Sequence, residues 1–470
     1  MLFNQGHIGL TVQRFCLGKH GNLLSVTRPL LCPRRVTTRF VLAITVTVAM
    51  VLVVGVPTAV GYSHSPPMDL AQESQVKGIE ASSGVRAPAV QGDGVFGTAT
   101  AMAGVRVAVG APGETAAGLN YAGNAYVFNT KTSAVTDLSS PNAQFEGNFG
   151  SSIAISGTTV VVGAPDENVS GQASAGRAYV FSATTGHLIQ TLSSPNSQAD
   201  GKFGSSVAVA GGRVLVGAPD ETVSALTDAG RAYVFSASKG HLIATLTSAN
   251  AQSDGKFGTA VGISGATVIV GAPGETVSGH VGAGHAYVLK ATSGALLETL
   301  SSPNVANDVS YSTGGFGSSV AISGSTAVVG APLEPATVGQ LAGNAYVFKA
   351  TTGALLSTLT NPDPQIGGKF GFSVAISGKT AIVGAWGNYV SGDEQAGNAS
   401  IFHATSGSLI VTITSASPQV HGDFGWSVAI SGSKAAVGAS NEVSSGDPSA
   451  GNVYVVKATT GALVSTLSSP

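Results

Sequence analysis

The chain contains a unit of 53 to 59 residues that occurs seven times, and this repetition constrains the fold more than any other feature of the sequence. In every copy a Phe-Gly pair lies 14 residues before the first Gly of a Gly-Ala-Pro or related tripeptide, and the Gly of an Ala-Gly pair follows 13 residues later. Fixed periods of this length are typical of solenoids, propellers and other repeat architectures. The copies begin near Phe96, Phe149, Phe203, Phe257, Phe316, Phe370 and Phe424.

Each copy divides into four short apolar segments separated by turn residues. In the second copy these are SSIAIS, TTVVVGA, GRAYVFSA and HLIQTLSS. Ser156-Gly157 and Thr184-Thr185-Gly186 join them in the manner of tight antiparallel hairpins. The chain is rich in Gly and β-forming residues, and it shows no long amphipathic helical pattern. The sequence therefore predicts an all-β fold, a seven-bladed β-propeller of four-stranded antiparallel blades, which suits the repeat better than a solenoid.

The succession of Phe-Gly, Gly-Ala-Pro and Gly-x-Ala-Tyr-Val-Phe resembles the FG-GAP repeat of integrin α-chains and of many exported bacterial and archaeal proteins. The resemblance covers roughly residues 92–470. It implies a seven-bladed propeller whose upper face binds a partner in adhesion or surface recognition. Integrin repeats often carry a calcium cage between the first two strands, but here that position holds Ser-Gly without acids in five copies, whereas calcium needs about six to eight oxygen ligands. We therefore expect no metal and no cofactor.

A hydrophobic segment precedes the repeats. Residues 40–60 carry no charge and directly follow the basic residues Arg34, Arg35 and Arg39. Such a run is long enough to cross a bilayer, and its basic flank predicts a cytoplasmic N-terminus and an exported remainder. A cleaved signal peptide and a retained anchor both remain open. The predicted organisation is a basic region over 1–39, a signal peptide or transmembrane anchor over 40–60, a linker over 61–91 and the propeller over 92–470.

Charge and cysteine content narrow the classes of partner. The residues after position 60 include 24 acidic and 16 basic side chains, which argues against nucleic acid as a partner. The two cysteines, Cys16 and Cys32, precede the hydrophobic segment, so the exported part has no disulfide. We expect the membrane to be reached only through the N-terminal segment, and the oligomeric state is not predicted.

A glutamate follows the Gly-Ala-Pro position in six of the seven copies. A catalytic residue is needed once, whereas a residue required by blade geometry recurs with every blade. We interpret these side chains as structural loop carboxylates that accept hydrogen bonds from backbone N–H groups of their own loops, with Asp166 and Asp220 beside them exposed to solvent. The alternative is an acidic pocket at the upper channel mouth, as in an exported hydrolase or lyase. The six residues are Glu114, Glu167, Glu221, Glu275, Glu334 and Glu442.

Other motifs give weaker signals. The chain has no Gly-x-Ser-x-Gly elbow, and its nine histidines show no metal-ligand spacing. The stretch 377–380, Ser-Gly-Lys-Thr, matches only the end of a phosphate-binding loop and lies in a predicted hairpin. Asn168 and Asn398 begin glycosylation sequons in predicted upper-face loops.

The loops after the second and fourth strands emerge on one face, and we predict that this upper face binds a partner because these loops are the long and variable ones. The repeat pattern is broken there in two places, an extended connection between the fourth and fifth copies and the start of the sixth and seventh copies. Aromatic rings beside amides favour contact with a sugar or a protein, although the two tryptophans could instead fill a gap between blades. The candidate ligand-binding residues are Asn307, Asp308, Tyr311, Trp386, Asn388, Tyr389 and Trp426.

The sequence thus predicts an exported or surface-anchored propeller, without catalytic activity, that recognises a protein or glycan at a cell surface through its upper-face loops. The hydrolase or lyase is the alternative function. A purely structural role in a surface layer or matrix is a third interpretation.

Overall fold

The computed structural model describes residues 91–305, 314–335 and 341–470. These residues form seven antiparallel sheets, each a meander of four consecutive strands, which confirms the predicted all-β, seven-bladed propeller. The hydrophobic segment over 40–60 lies outside the described residues, as does nearly all of the predicted linker. Within the described part of the chain, no helix is long and apolar enough to cross a membrane.

The first strand of each blade lies against the first strands of both neighbouring blades, and the seven together surround a central channel. They are β1 Ala99–Ala103, β5 Ser152–Ser156, β9 Ser206–Ala210, β13 Val261–Ser264, β17 Ser319–Ser323, β21 Ser373–Ser377 and β25 Phe424–Ser431. The second strands follow after Ser-Gly or similar turns. They are β2 Arg106–Ala111, β6 Thr159–Ala164, β10 Arg213–Ala218, β14 Thr267–Ala272, β18 Thr326–Ala331, β22 Thr380–Ala385 and β26 Lys434–Ala439.

The third and fourth strands complete each blade towards its outer edge. The third strands are β3 Asn124–Asn129, β7 Arg177–Ser182, β11 Arg231–Ser236, β15 His285–Lys290, β19 Asn344–Lys349, β23 Asn398–His403 and β27 Asn452–Lys457. The fourth strands are β4 Val135–Ser139, β8 Leu188–Ser193, β12 Leu242–Leu246, β16 Leu296–Ser301, β20 Ala354–Thr360, β24 Leu409–Thr414 and β28 Leu463–Leu467.

The position of a strand in its blade explains its composition. Strand β6 is buried at every residue except the first, because a neighbouring blade covers each face of the sheet. Such strands read as continuous Val, Ile and Ala rather than as alternating patterns. The outer strand β8 is mostly exposed and mixes Leu and Ile with Gln, Thr and Ser. The Phe of the Phe-Gly pair is fully buried, and Phe149 packs 5.7 Å from the Tyr179 ring and edge-on to Phe181 at 6.0 Å.

Close contact between neighbouring blades explains the invariant spacing of the two glycines. At Gly163, the first residue of its Gly-Ala-Pro, an added Cβ would collide with the Gly204 carbonyl oxygen of the next blade. Gly204 itself has a φ of +97°, which is accessible to glycine at little cost. The same pairing of a Gly-Ala-Pro glycine with the next Phe-Gly glycine occurs at all seven interfaces. The motif therefore sets how closely two blades pack.

The sequence did not show how the ring closes, and the structure answers this. The first and seventh blades meet through the same contacts that join consecutive blades. The Phe96 N–H donates to the Ala450 carbonyl at 3.0 Å, and the Ser427 hydroxyl donates to the Gly97 carbonyl at 2.7 Å. Each described sheet uses only its own four strands, so closure needs no strand exchanged between the ends of the chain.

Candidate functional site at the channel mouth

The recurring glutamates lie buried between adjacent blades. In the second blade, Oε2 of Glu167 accepts hydrogen bonds from the Tyr179 hydroxyl at 2.5 Å and from Arg177 at 3.1 Å. Its Oε1 accepts a hydrogen bond from the Ser140 hydroxyl, which follows the outer strand of the first blade, at 2.5 Å. The carboxylate thus joins two blades through side chains.

These donors differ from the backbone N–H groups that the sequence led us to expect. The loop uses its own N–H groups internally, since the Gly176 N–H donates to the Glu167 carbonyl at 2.9 Å and the Glu167 N–H donates to Ala164. The carboxylate is therefore directed into the interface between blades, where side-chain hydroxyl, guanidinium and amide groups donate to it.

The arrangement repeats around the ring. Tyrosine hydroxyls donate to Glu114, Glu221, Glu275, Glu334 and Glu442. The Ser469 hydroxyl donates to Glu114 at 2.5 Å and so extends the pattern across the closure. None of the six glutamates is more than 3% exposed. Burial and the adjacent carboxylates raise the pKa of the tyrosines, and burial raises the pKa of Glu442.

The sixth blade carries an uncharged version of this contact. Asn388 is fully buried, accepts a hydrogen bond from Asn361 at 3.3 Å and donates to the Asp363 carbonyl at 3.3 Å. Ser400 replaces the tyrosine and hydrogen-bonds to Thr412. Asn388 is therefore part of an interface between blades, rather than of an exposed surface as the sequence led us to expect.

The acids that were expected to face solvent instead form partly buried ion pairs with the next blade. Asp166 pairs with Lys202 and also accepts a hydrogen bond from Asn148 at 2.8 Å. Asp220 pairs with Lys256 at 3.0 Å. The ionised side chains are about a quarter to a third exposed, so we expect each pair to contribute less than about 1 kcal/mol.

Three aromatic rings meet where the sixth and seventh blades border the channel. Trp386 and Trp426 have ring centroids 5.3 Å apart, and Phe372 lies 4.8 Å from Trp426 and 5.8 Å from Trp386. We call these three residues the aromatic cluster. All three are partly exposed, and they line one side of a cavity of about 700 Å³ at the upper end of the channel.

Phe372 was missed by sequence reasoning, although a signal for it exists. The second residue after the motif Phe is Ser or Thr in the first five copies. Its hydroxyl donates to the carbonyl three residues upstream, as Ser151 does to Asn148 at 2.6 Å. In the sixth and seventh copies this position holds Phe372 and Trp426. Two polar turn residues are thus replaced by rings at adjacent places on the channel wall.

The remaining candidates lie elsewhere. Tyr389 is 46% exposed on the same loop as Trp386 but does not line the cavity, and a hydrogen bond to Glu394 raises its pKa. The sequon residue Asn168 is exposed, whereas Asn398 begins β23 and is buried, in contrast to its predicted place in a loop. Asn307, Asp308 and Tyr311 lie outside the described residues. Across 91–305, 314–335 and 341–470, no three His, Cys, Asp or Glu side chains are grouped to hold a metal.

Comparison with known families agrees with the repeat geometry. The family model described as the FG-GAP repeat matches residues 133–181, 188–235, 241–289, 305–348, 355–402 and 410–456. The chain belongs to the FG-GAP repeat family. This membership and the propeller fold indicate a domain of the binding or adhesion type, and FG-GAP repeats are typical of extracellular or surface proteins.

Other comparisons add less to the description of this FG-GAP propeller. No curated protein matches the chain. Among solved structures, the computationally designed Ika8 protein is 17% identical with a TM-score of 0.47, over 80% of this chain and 87% of the designed one.

Proposed function

We propose that this FG-GAP propeller is a non-catalytic binding module that recognises a protein or glycan at a cell surface through its upper face. The aromatic cluster at the channel mouth carries the proposal. It lies on the face that bears the long loops, at the two adjacent blades where the repeat pattern changes from hydroxyl groups to rings. We also propose that residues 40–60 direct the propeller out of the cytoplasm as a signal or anchor.

The cavity beside the cluster has the size and composition of a ligand site. Its volume of about 700 Å³ lies within the roughly 300–1,000 Å³ typical of small-molecule pockets. Tryptophan is enriched among the residues that dominate binding energy, because a large ring buries much apolar area at a small cost in side-chain entropy. A single sugar unit or one side chain of a protein partner would fit such a space.

We do not propose the hydrolase or lyase. That function requires carboxylates that converge in an accessible pocket. The glutamates that suggested it are buried, and each receives hydrogen bonds from another side chain.

The proposal is tested by probing the protein against an oligosaccharide array and against cell-surface proteins in a pull-down. Trp386→Ala is expected to weaken any binding that depends on the channel mouth by at least about tenfold, the loss expected for a central aromatic anchor. Trp426→Ser restores the hydroxyl found in the first five copies and is expected to act in the same direction while preserving the turn.

Tyr389→Ala is the matched control, because this residue lies on the Trp386 loop but away from the cavity. Thermal unfolding of every variant separates loss of binding from loss of fold. Binding to every identified partner that is unchanged in both Trp386→Ala and Trp426→Ser would rule out the channel mouth as the recognition site.

A further inference from the structure

A lysine beside the aromatic cluster lacks the acidic partner that its repeat equivalents have. Lys202 and Lys256 precede the motif Phe in the third and fourth blades, and each pairs with an aspartate of the preceding blade. Lys369 occupies the same position in the sixth blade and lines the cavity. The residue equivalent to those aspartates is Leu333, and within the described part of the chain Lys369 forms no ion pair or hydrogen bond through its ammonium group.

Lys369 and Lys256 are both partly withdrawn from water, but they differ in their acidic partners. Desolvation lowers the pKa of Lys369. Desolvation acts on Lys256 too, but hydrogen bonds with Asp228 and Asp220 and the charges of these carboxylates together outweigh it and raise the pKa of Lys256. An ammonium group that is partly withdrawn from water without a nearby negative charge is unfavourable, and an incoming anion would relieve that cost. The carboxylate of Glu found in other blades is also missing here, since Asn388 lies against Gly368.

The first five blades contribute hydrogen-bond acceptors to the cavity wall. Hydroxyl groups from the first five blades line it, and each already donates its proton to a backbone carbonyl. Their oxygens therefore retain lone pairs that can accept hydrogen bonds from a ligand. The five residues are Thr98, Ser151, Ser205, Thr259 and Ser318.

Resting on the proposed binding function, we infer that the ligand is a glycan and that the group entering the channel mouth is a sugar residue bearing a carboxylate, of the uronic acid type. The sugar ring would pack one face on the aromatic cluster, its hydroxyls would donate to the ring of serine and threonine oxygens, and its carboxylate would pair with Lys369. An acidic peptide side chain would supply the carboxylate but not the several hydroxyl donors that the wall accommodates.

The test uses two matched probes, an oligosaccharide that ends in glucuronic acid and the same oligosaccharide with that carboxyl reduced to a primary alcohol. Calorimetric titration of the protein is expected to show about tenfold or greater preference for the acid, the size of effect given by one charge-assisted hydrogen bond. Lys369→Gln should abolish the preference and Lys369→Arg should retain it, because arginine keeps the charge.

Lys202→Gln is the control, since it removes a lysine that is paired with Asp166 and lies outside this cavity. Equal binding of the two probes, or a preference that survives Lys369→Gln, would overturn the inference. An acidic peptide that binds through Lys369 when neither oligosaccharide does would overturn the glycan assignment and leave the proposed binding function intact. If no oligosaccharide, peptide or surface protein depends on Trp386 or Trp426, the proposed function fails together with the inference.

Discussion

Replacement of Glu167 by alanine is expected to destabilise the propeller by about 3 to 5 kcal/mol. The substitution leaves the hydroxyls of Tyr179 and Ser140 buried without their charged acceptor, and hydrogen bonds to charged groups contribute about 1.5 to 3 kcal/mol each. Arg177 is 17% exposed, so water can hydrate it after the change and it adds little to the loss.

Urea denaturation monitored by intrinsic fluorescence measures this change as a lower midpoint at an unchanged slope. The neighbouring substitution Asp166→Asn is the matched control. It lies in the same loop and also removes one carboxylate, but from a partly exposed ion pair with Lys202, so its expected cost is below about 1 kcal/mol.

The contact between blades is measured directly by a double-mutant cycle. Ser140→Ala and Glu167→Ala, alone and combined, are expected to show a coupling energy of about 1 to 3 kcal/mol, because the two residues share one buried hydrogen bond. A cost for Glu167→Ala no larger than that of Asp166→Asn, or a coupling near zero, would refute the conclusion that this carboxylate holds two blades together.

Three further substitutions test other contacts. Gly163→Ala is expected to cost about 3 kcal/mol, measured by urea denaturation, because its Cβ meets the Gly204 carbonyl; a change below about 1 kcal/mol would contradict the close approach of blades. Ser469→Ala removes the hydroxyl that donates to Glu114 where the first and seventh blades meet. It is expected to lower the free energy of unfolding by about as much as Ser140→Ala, because the two serines make the same contact, and a smaller loss would show a weaker closure. Burial raises the pKa of Asp423 to about 6 from an ordinary 3.8, so the folded protein loses stability as the pH rises through 6, where the buried carboxyl ionises. Asp423→Asn removes this loss, so the stability of the variant relative to the original protein should be up to about 3 kcal/mol more favourable at pH 8 than at pH 4. A relative stability that does not change with pH would refute this.

The fold could be predicted from the sequence because every unit repeats the same constraint. Phe149 at the start of a copy and Gly163 fourteen residues later can recur in register only if successive blades pack identically. Ring closure could not be predicted, because it depends on whether the face of the last blade matches that of the first, as the bond from Ser427 to Gly97 shows.

The candidate site could be predicted only in part. Trp386 and Trp426 stand out as the two tryptophans of the chain, but the place of Phe372 becomes clear only when all seven copies are aligned at the residue after Phe-Gly. The partners of Glu167 were also predicted wrongly. Its donor Ser140 lies 27 residues earlier in another blade, whereas the sequence of one loop identifies only donors that are near in the chain.

The departures at the fifth and sixth blades share one physical consequence. Leu333 stands where the second and third blades place an aspartate, and Asn388 stands where six blades place a glutamate. The interface that contains Lys369 therefore lacks both carboxylates. A partly desolvated ammonium group without a nearby negative charge is unfavourable in the unliganded protein. An anionic group that enters from outside the chain, beside the rings of Trp386 and Trp426, would supply the missing charge.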